Sequence, residues 1–110
     1  MRKKIAKLKD LPEGTTKRFS FKRDGMRVDA FVANFKGEIV AYENLCRHLP
    51  ITLDYGDGEF FSNDGSLFVC QTHGAFYEPK NGLCIAGPCT GASLNPLETE
   101  QSDGHIFLVR

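Results

Sequence analysis

The chain has 110 residues, no net charge and a charged fraction of 25%, which is typical of one small globular domain and not of a disordered chain. No apolar stretch is long enough to span a bilayer, and the basic N-terminus is followed by no apolar run, so we expect no membrane span, no secretion signal and a cytoplasmic location. Residues 1–36 contain eleven Lys or Arg and four Asp or Glu, whereas residues 37–110 contain three Lys or Arg and ten Asp or Glu. No nucleic-acid-binding motif accompanies the basic residues, so no nucleic-acid partner is expected.

Short segments of alternating polar and apolar residues fill most of the chain, and they predict β-strands. In chain order, the predicted strands span residues 2–8, 15–22, 26–35, 39–42, 67–69, 75–77 and 105–109. The third of them places Ala30 and Val32 on one face and Phe31 and Ala33 on the other. No segment shows a sustained helical period, so we expect an all-β fold, a small antiparallel sandwich or barrel. Four dipeptides favour tight turns between these segments: Asp24-Gly25, Lys36-Gly37, Asn81-Gly82 and Asp103-Gly104.

Two short motifs each combine a cysteine with a histidine. Cys46 and His48 stand two positions apart, and Cys70 and His73 stand three positions apart. Two Cys and two His form the ligand set of a Rieske 2Fe–2S centre. A structural zinc site can use the same set, but zinc modules commonly use C-x-x-C knuckles or two His on one helix, and the sequence contains neither. The absence of C-x-x-C also argues against a thioredoxin-like role.

These motifs and their flanking residues resemble a Rieske-type ferredoxin of the soluble, low-potential, oxygenase-associated kind. The family pattern is C-x-H followed, after a gap, by C-x-x-H-G, and the resemblance extends over roughly residues 5–110. It implies one 2Fe–2S cluster held by Cys46, His48, Cys70 and His73. It also implies a single Rieske domain at 1–110, whose cluster-binding part, at about 44–90, has two ligand loops and a proline loop. Residues implied to surround the cluster are Leu49, Thr72, Gly74, Ala75, Tyr77, Gly87 and Pro88.

The sequence departs from the high-potential Rieske proteins of respiratory and photosynthetic cytochrome complexes. Those proteins have an additional disulfide between the two ligand loops, and the corresponding residues here are Ile51 and Thr72. They also have a Ser that donates to a cluster sulfur, and here that residue is Ala75. Loss of a donor removes stabilisation of the reduced state. We therefore expect a potential in the lower part of the Rieske range of about −150 to +300 mV.

Cys84 and Cys89 stand apart from the predicted ligands. We interpret them as buried or half-buried thiols near the third loop. A local disulfide between them depends on the loop geometry, and the sequence leaves that question open.

The resemblance implies a one-electron carrier, a monomer in solution, that passes electrons from a reductase to a terminal oxidoreductase, usually a ring-hydroxylating oxygenase. The chain is too short for an oxygenase's catalytic domain and has no flavin or nicotinamide fingerprint, so it is expected to be no enzyme itself. Two alternatives stay open: the small Rieske-like subunit of a nitrite-reductase-type enzyme, and a zinc-stabilised interaction module without redox chemistry. Four acidic residues between the motifs are expected to steer a basic partner: Asp54, Asp57, Glu59 and Asp64.

Overall fold

A computed structural model describes residues 2–45, 60–62, 64–70, 74–88 and 90–109. These residues form nine strands, a single 3₁₀ turn at Leu8–Asp10 and no α-helix. Consequently no helix in the described ranges is long or apolar enough to cross a membrane. The strands are β1 (Arg2–Lys7), β2 (Thr16–Arg23), β3 (Met26–Phe35), β4 (Glu38–Glu43), β5 (Phe68–Val69), β6 (Phe76–Tyr77), β7 (Cys84–Ala86), β8 (Thr99–Ser102) and β9 (His105–Val109).

The nine strands form three antiparallel sheets of three strands each, in the orders β1-β9-β8, β2-β3-β4 and β5-β6-β7. This architecture confirms the predicted all-β fold. Three of the predicted tight turns join neighbouring strands within these sheets, at Asp24-Gly25, Lys36-Gly37 and Asp103-Gly104. In each turn both residues have a positive φ, which is the conformation that a two-residue hairpin of type I′ requires.

The sheet β2-β3-β4 packs between the sheets β1-β9-β8 and β5-β6-β7, and the two faces of its central strand β3 are buried in two different cores. Ala30 and Val32 of β3 pack into one core together with residues of β1 and β9. Phe31 and Ala33 pack into the other, together with residues of the sheet β5-β6-β7. We call the first the aliphatic core and the second the aromatic core. The aromatic core contains Phe31, Ala33, Tyr42, Phe60, Phe68, Cys70, Ala75, Tyr77, Cys84 and Leu94.

Stacked and edge-on rings fill the aromatic core. Phe31 stacks on Phe60 with ring centroids 4.1 Å apart, and it meets the edge of Phe68 at 5.1 Å. Both arrangements suit the charge distribution of aromatic rings. Since Phe68 lies two residues before Cys70, this packing fixes the strand that leads into the second motif.

A connecting segment at residues 93–97 attaches the third sheet to the middle one. The amide of Leu94 donates to the carbonyl of Gly82 at 2.8 Å, next to β7. Two residues of β4, Ala41 and Glu43, exchange backbone hydrogen bonds with Leu97 and Asn95. The segment therefore holds the short third sheet against the strand that approaches the first motif.

Most predicted strand limits agree with the structure to within one residue, but three features differ. Leu8 lies in the 3₁₀ turn and not in β1. The strands β7 and β8 were not predicted as strands. β8 reads Thr-Glu-Gln-Ser and contains no apolar residue, so no alternation marks it. It forms because it is the hairpin partner of β9.

Candidate metal centre

The second motif lies in the part of the chain that connects β5 to β6. The pairs Phe68–Tyr77 and Val69–Phe76 set the register, which brings Cys70 opposite Ala75. The amide of Cys70 donates to the carbonyl of Ala75 at 2.8 Å, and the amide of Gly74 donates to the carbonyl of Cys70 at 2.8 Å. These two bonds fix the positions at which the chain leaves the sheet and returns to it, and His73 lies in sequence between them.

The residues at this position suit a loop that holds a metal. Cys70 and Ala75 are both 0% exposed, whereas Gly74 is exposed. Gly74 has a φ of +70°, a conformation in which glycine meets no Cβ penalty. Complete burial of Cys70 disfavours a charged thiolate, and a metal ion bound to the sulfur would offset that charge.

The predicted third loop packs directly on the second motif. Gly87 has a φ of +100°, and a Cβ placed on it would lie 2.7 Å from the Cα of Ala75 and 3.2 Å from the carbonyl oxygen of Gly74. The loop is closed by a hydrogen bond of 2.8 Å from the Thr90 hydroxyl to the Gly87 carbonyl. Pro88 follows Gly87 and is exposed. The structure thus brings together Gly74, Ala75 and Gly87, three of the residues predicted to surround the cluster.

Tyr77 and Cys84 pair across β6 and β7, next to the pair Phe76–Ala86. Both are buried, at 0% and 1% exposed. The thiol of Cys84 donates to the carbonyl of Ala86 at 3.2 Å. The interpretation of Cys84 as a buried thiol near the third loop is therefore confirmed.

The approach to the first motif is fixed by backbone hydrogen bonds at the end of β4. The amide of Asn44 donates to the carbonyl of Asp29 at 2.8 Å, and Asn44 is only 3% exposed. The amide of Leu45 then donates to the carbonyl of Glu43 at 2.9 Å. The chain is thereby held in place up to the residue that precedes Cys46.

Several predicted residues lie outside the described residues. Within the described ranges, no three His, Cys, Asp or Glu side chains come together as a metal site, and Cys70 is the one predicted ligand that these ranges contain. The complete ligand set therefore stays a prediction, and the question of a disulfide between Cys84 and Cys89 stays open. The predicted residues outside the described ranges are Cys46, His48, Leu49, Ile51, Asp54, Asp57, Glu59, Thr72, His73 and Cys89.

Tyr42 and Gly82 also support the site, and neither is a predicted site residue. The Tyr42 hydroxyl donates to the carbonyl of Pro79 at 2.7 Å, which ties the turn between β6 and β7 to β4. Gly82 makes room for this contact, because a Cβ there would lie 2.8 Å from the Tyr42 ring. Burial, with a smaller effect of the Glu38 carboxylate, raises the pKa of Tyr42 to about 12. The sequence signal was the Asn81-Gly82 dipeptide, which predicted a turn but not its partner.

Asp64 is the one described member of the four acidic residues expected to steer a partner. One of its carboxylate oxygens accepts hydrogen bonds from the Ser66 amide at 3.0 Å, the Ser66 hydroxyl at 2.7 Å and the Ser62 hydroxyl at 2.8 Å. The Ser66 amide, followed by the two hydroxyls, lowers the pKa of Asp64 to about 2. The carboxylate therefore organises its own turn and keeps its negative charge throughout the physiological range.

Taken together, the described residues fit an iron–sulfur cluster. Cys70 supplies a buried sulfur at a loop base that two hydrogen bonds define. The backbone contact of Gly87 with Ala75 leaves no space for a side chain between the second and third loops. Thiolate is the ligand on which iron–sulfur clusters are built.

Comparison with known proteins agrees with this geometry. Residues 1–101 match the family described as Rieske [2Fe-2S] domain. Among curated proteins, the menaquinol:cytochrome c reductase iron–sulfur subunit of Geobacillus thermodenitrificans is 33% identical over 73 residues, which is 66% of this chain. The chain spans 41% of the length of that relative.

Two solved structures are similar over nearly the whole chain. A chain from the complex of reduced oxygenase and oxidized ferredoxin in carbazole 1,9a-dioxygenase has a TM-score of 0.77 and 25% identity, covering 97% of this chain and 91% of that one. The ferredoxin of carbazole 1,9a-dioxygenase from Nocardioides aromaticivorans IC177 has a TM-score of 0.74 and 22% identity, covering 98% of this chain and 96% of that one. The family match, the antiparallel sheets and the Cys70 loop lead to one conclusion: this chain belongs to the Rieske [2Fe-2S] domain family and is an electron-transfer component that carries one 2Fe–2S cluster.

Proposed function

We propose that this chain is a soluble, cytoplasmic, monomeric carrier that takes one electron from a reductase and delivers it to an oxygenase. Residues 1–110 form a single Rieske domain, with the cluster-binding part at about 44–90. The observation that carries the proposal is the reciprocal coverage of a ferredoxin structure, 98% of this chain and 96% of the other. The similarity in fold to that ferredoxin over nearly the whole chain supports the same carrier role here.

Within this proposal the ligands have distinct roles. Cys46 and Cys70 would hold one iron of the cluster, and His48 and His73 would hold the other. The bound cluster supplies a site that accepts and releases one electron. Cys70 lies in the aromatic core and would hold its iron from the buried side, while Gly87 contacts the base of the second loop at Gly74 and Ala75.

A Rieske subunit of a quinol:cytochrome c reductase is the second candidate, because the curated relative of that kind is 33% identical. Against it, the chain has Ile51 and Thr72 where the resemblance places the disulfide cysteines, and Ala75 where it places a hydroxyl donor. Reduction potential separates the two candidates. Protein-film voltammetry at neutral pH should give a value in the lower part of the range of about −150 to +300 mV, and a value above about +150 mV would favour the reductase subunit.

Cluster binding is tested with a matched pair of cysteine substitutions. Cys70 and Cys84 are both buried in the aromatic core, so Cys70→Ser and Cys84→Ser disturb the packing similarly. Only Cys70→Ser should lose iron, acid-labile sulfide and the rhombic paramagnetic signal of the reduced protein. If both variants kept the cluster, the ligand assignment would be wrong.

Delivery of the electron is tested by stopped-flow mixing. The reduced protein is mixed with the terminal oxygenase of a carbazole 1,9a-dioxygenase, and bleaching or recovery of the visible bands is followed. We expect a second-order reaction that depends on oxygenase concentration. A fully loaded protein that reduces no oxygenase would contradict the carrier proposal.

A further inference from the structure

The hairpin of β2 and β3 extends beyond the third strand of its sheet. β2 stays paired with β3 as far as the Asp24-Gly25 turn, whereas the pairing of β3 with β4 ends at Ala30 and Glu43. Residues 20–29 therefore project past the end of β4 as a two-stranded ribbon. We call these residues the ribbon.

The base of the ribbon is attached to the segment that leads into the first motif. The amide of Asn44 donates to the carbonyl of Asp29, at the base of the ribbon, with a distance of 2.8 Å. Cys46 follows Asn44 by two residues. Charges on the ribbon are therefore held close to the point at which the chain enters its first predicted ligand.

Three cationic side chains lie on one face of this hairpin. In the strand register Arg18 stands opposite Phe31, and Lys22 stands opposite Arg27. Residues that are opposite in register, or two positions apart on one strand, share a face, so all three cations lie on the face of Phe31. That face is the one that packs into the aromatic core with Cys70. We call Arg18, Lys22 and Arg27 the cationic strip.

Positive charge exceeds negative charge on this face. All three members of the cationic strip are exposed, and Arg18 and Arg27 line one open hollow of about 200 Å³ together with Ser20 and Asp29. Asp29 accepts from Arg27 at 3.0 Å and is the one acidic residue that the register places on this face of the ribbon. The ammonium of Lys3 adds a further positive charge at the same strand, because it donates to the carbonyl of Ser20 at 2.6 Å.

The pair Lys22–Arg27 is an arrangement that folding alone disfavours. Like charges directly opposite each other on antiparallel strands destabilise the pair, whereas opposite charges stabilise it. The hairpin therefore gives up some stability to hold two cations side by side in solvent. An anionic partner would offset this repulsion, which gives the arrangement a physical use that the fold does not supply.

We propose that the cationic strip creates a positive potential beside the first motif and thereby selects electron-transfer partners with an acidic surface. This proposal rests on the carrier function proposed above. Charges around a transfer site act mainly by steering the approach of a partner and by rejecting partners of like charge. A second copy of this chain is a poor occupant, because two cationic strips repel each other. The four acidic residues between the motifs predict the opposite preference, so the sign of the measured effect decides between them.

The test uses two inorganic oxidants of equal and opposite charge as probes of the potential. Ferricyanide is a trianion and tris(phenanthroline)cobalt(III) is a trication, and each takes one electron from the reduced cluster, giving ferrocyanide or the cobalt(II) complex and the oxidised cluster. Stopped-flow rates are measured with the loaded protein at low ionic strength. Lys22→Gln and Arg27→Gln should each slow the reaction with the anion and accelerate the reaction with the cation. A unit charge about 10 Å from a trivalent ion changes the rate roughly three- to fivefold at about 10 mM salt.

Lys4→Gln is the matched control, since it removes one exposed lysine from a different sheet. Lys4 pairs with Phe107 in the sheet β1-β9-β8, which packs on the other face of the middle sheet. This variant should leave both rates nearly unchanged. Equal effects of Lys22→Gln and Lys4→Gln would overturn the proposal. So would a reaction of the unmodified protein with ferricyanide that becomes faster as salt is added, because the potential near the cluster would then be negative.

Charge reversal gives a second test that a purely structural role would not pass. Lys22→Glu replaces a like-charge pair with an ion pair to Arg27, so the loaded variant should melt about 1–4 °C above the unmodified protein. The same variant should react more slowly with ferricyanide than Lys22→Gln does. A more stable variant with a slower anion reaction supports the proposal, and one that keeps the unmodified rate with ferricyanide overturns it.

These outcomes separate failure of this proposal from failure of the carrier proposal, because the inorganic probes require only a loaded cluster. If the protein reduces an oxygenase and the strip variants leave both ion rates unchanged, the carrier function stands and the cationic strip is wrong. If the ion rates respond as expected and the loaded protein reduces no oxygenase, the carrier proposal fails while the positive potential stands.

Discussion

Gly87→Ala is the substitution for which the structure gives the sharpest expectation. The added Cβ would lie 2.7 Å from the Cα of Ala75 and 3.3 Å from its Cβ. The nearest atom is backbone and not the end of a flexible side chain, so the third loop has to move away from the second. We therefore expect both lower stability and a changed environment of the cluster.

The magnitude follows from two separate costs. Alanine in the left-handed region costs roughly 1–2 kcal/mol, and overpacking adds about 1–3 kcal/mol. Gly91 provides a matched control in the same loop, since its φ is +96° and a Cβ there meets nothing within 4 Å. Gly91→Ala should therefore show the backbone cost alone, and the two variants should differ by about 1–3 kcal/mol in the free energy of unfolding.

Denaturant unfolding of the two loaded variants measures that difference directly. At about 4 °C per kcal/mol, Gly87→Ala should also melt roughly 4–12 °C below Gly91→Ala. The paramagnetic spectrum and the reduction potential should shift in Gly87→Ala and stay unchanged in Gly91→Ala. Equal unfolding free energies for the two variants would refute the reasoning, since the close contact with Ala75 would then carry no cost.

Three further predictions concern hydrogen bonds near the site. Tyr42→Phe leaves the buried Pro79 carbonyl without its donor and should cost about 1–3 kcal/mol in denaturant unfolding at neutral pH. The pKa of Tyr42 in the folded state is raised to about 12, so the stability that its protonated hydroxyl contributes is complete below pH 10 and is lost as pH rises from 10 to 12. The difference in free energy of unfolding between Tyr42→Phe and the unmodified protein should therefore narrow across that interval. Asp64→Asn removes a carboxylate whose pKa is lowered to about 2 by the Ser66 amide and by the hydroxyls of Ser66 and Ser62, so the variant should be less stable than the unmodified protein at pH 7. This difference in stability should shrink as pH falls from about 4 to 2, which an acid titration followed by fluorescence or circular dichroism measures. Ala75→Ser should raise the reduction potential by about 40 mV in protein-film voltammetry. One hydrogen bond to the reduced cluster contributes about 1 kcal/mol, and for a one-electron couple about 1.4 kcal/mol corresponds to about 59 mV.

Those parts of the fold that local chemistry encodes could be predicted from the sequence. Asp24-Gly25 and Lys36-Gly37 adopt positive φ at both positions and form hairpins, as their residue types indicate. The alternation of β3 correctly separates Ala30 from Phe31. In these cases neighbouring residues alone determine the conformation.

Features that depend on distant contacts could not be predicted in this way. Tyr42 reaches Pro79 across 37 positions, and neither residue carries a local sign of the other. The bulge at Ile85 arises from a mismatch in register between two very short strands, which alternation does not reveal. Cys70 was predicted as a ligand from its motif and the family resemblance, but its burial in the core that contains Phe31 and Phe68 follows from the tertiary packing alone.

The two faces of β3 couple the cluster site to the rest of the fold. Phe31 supports the core that contains Cys70, while Ala30, one position earlier, supports the core beneath β1 and β9. A change in β3 therefore disturbs the cluster site and the rest of the fold together. Ile85 lies outside both cores, since it is 43% exposed, whereas Gly87 packs against Ala75. Substitution of Ile85 should therefore leave the fold and the cluster site largely unchanged, in contrast to Gly87→Ala.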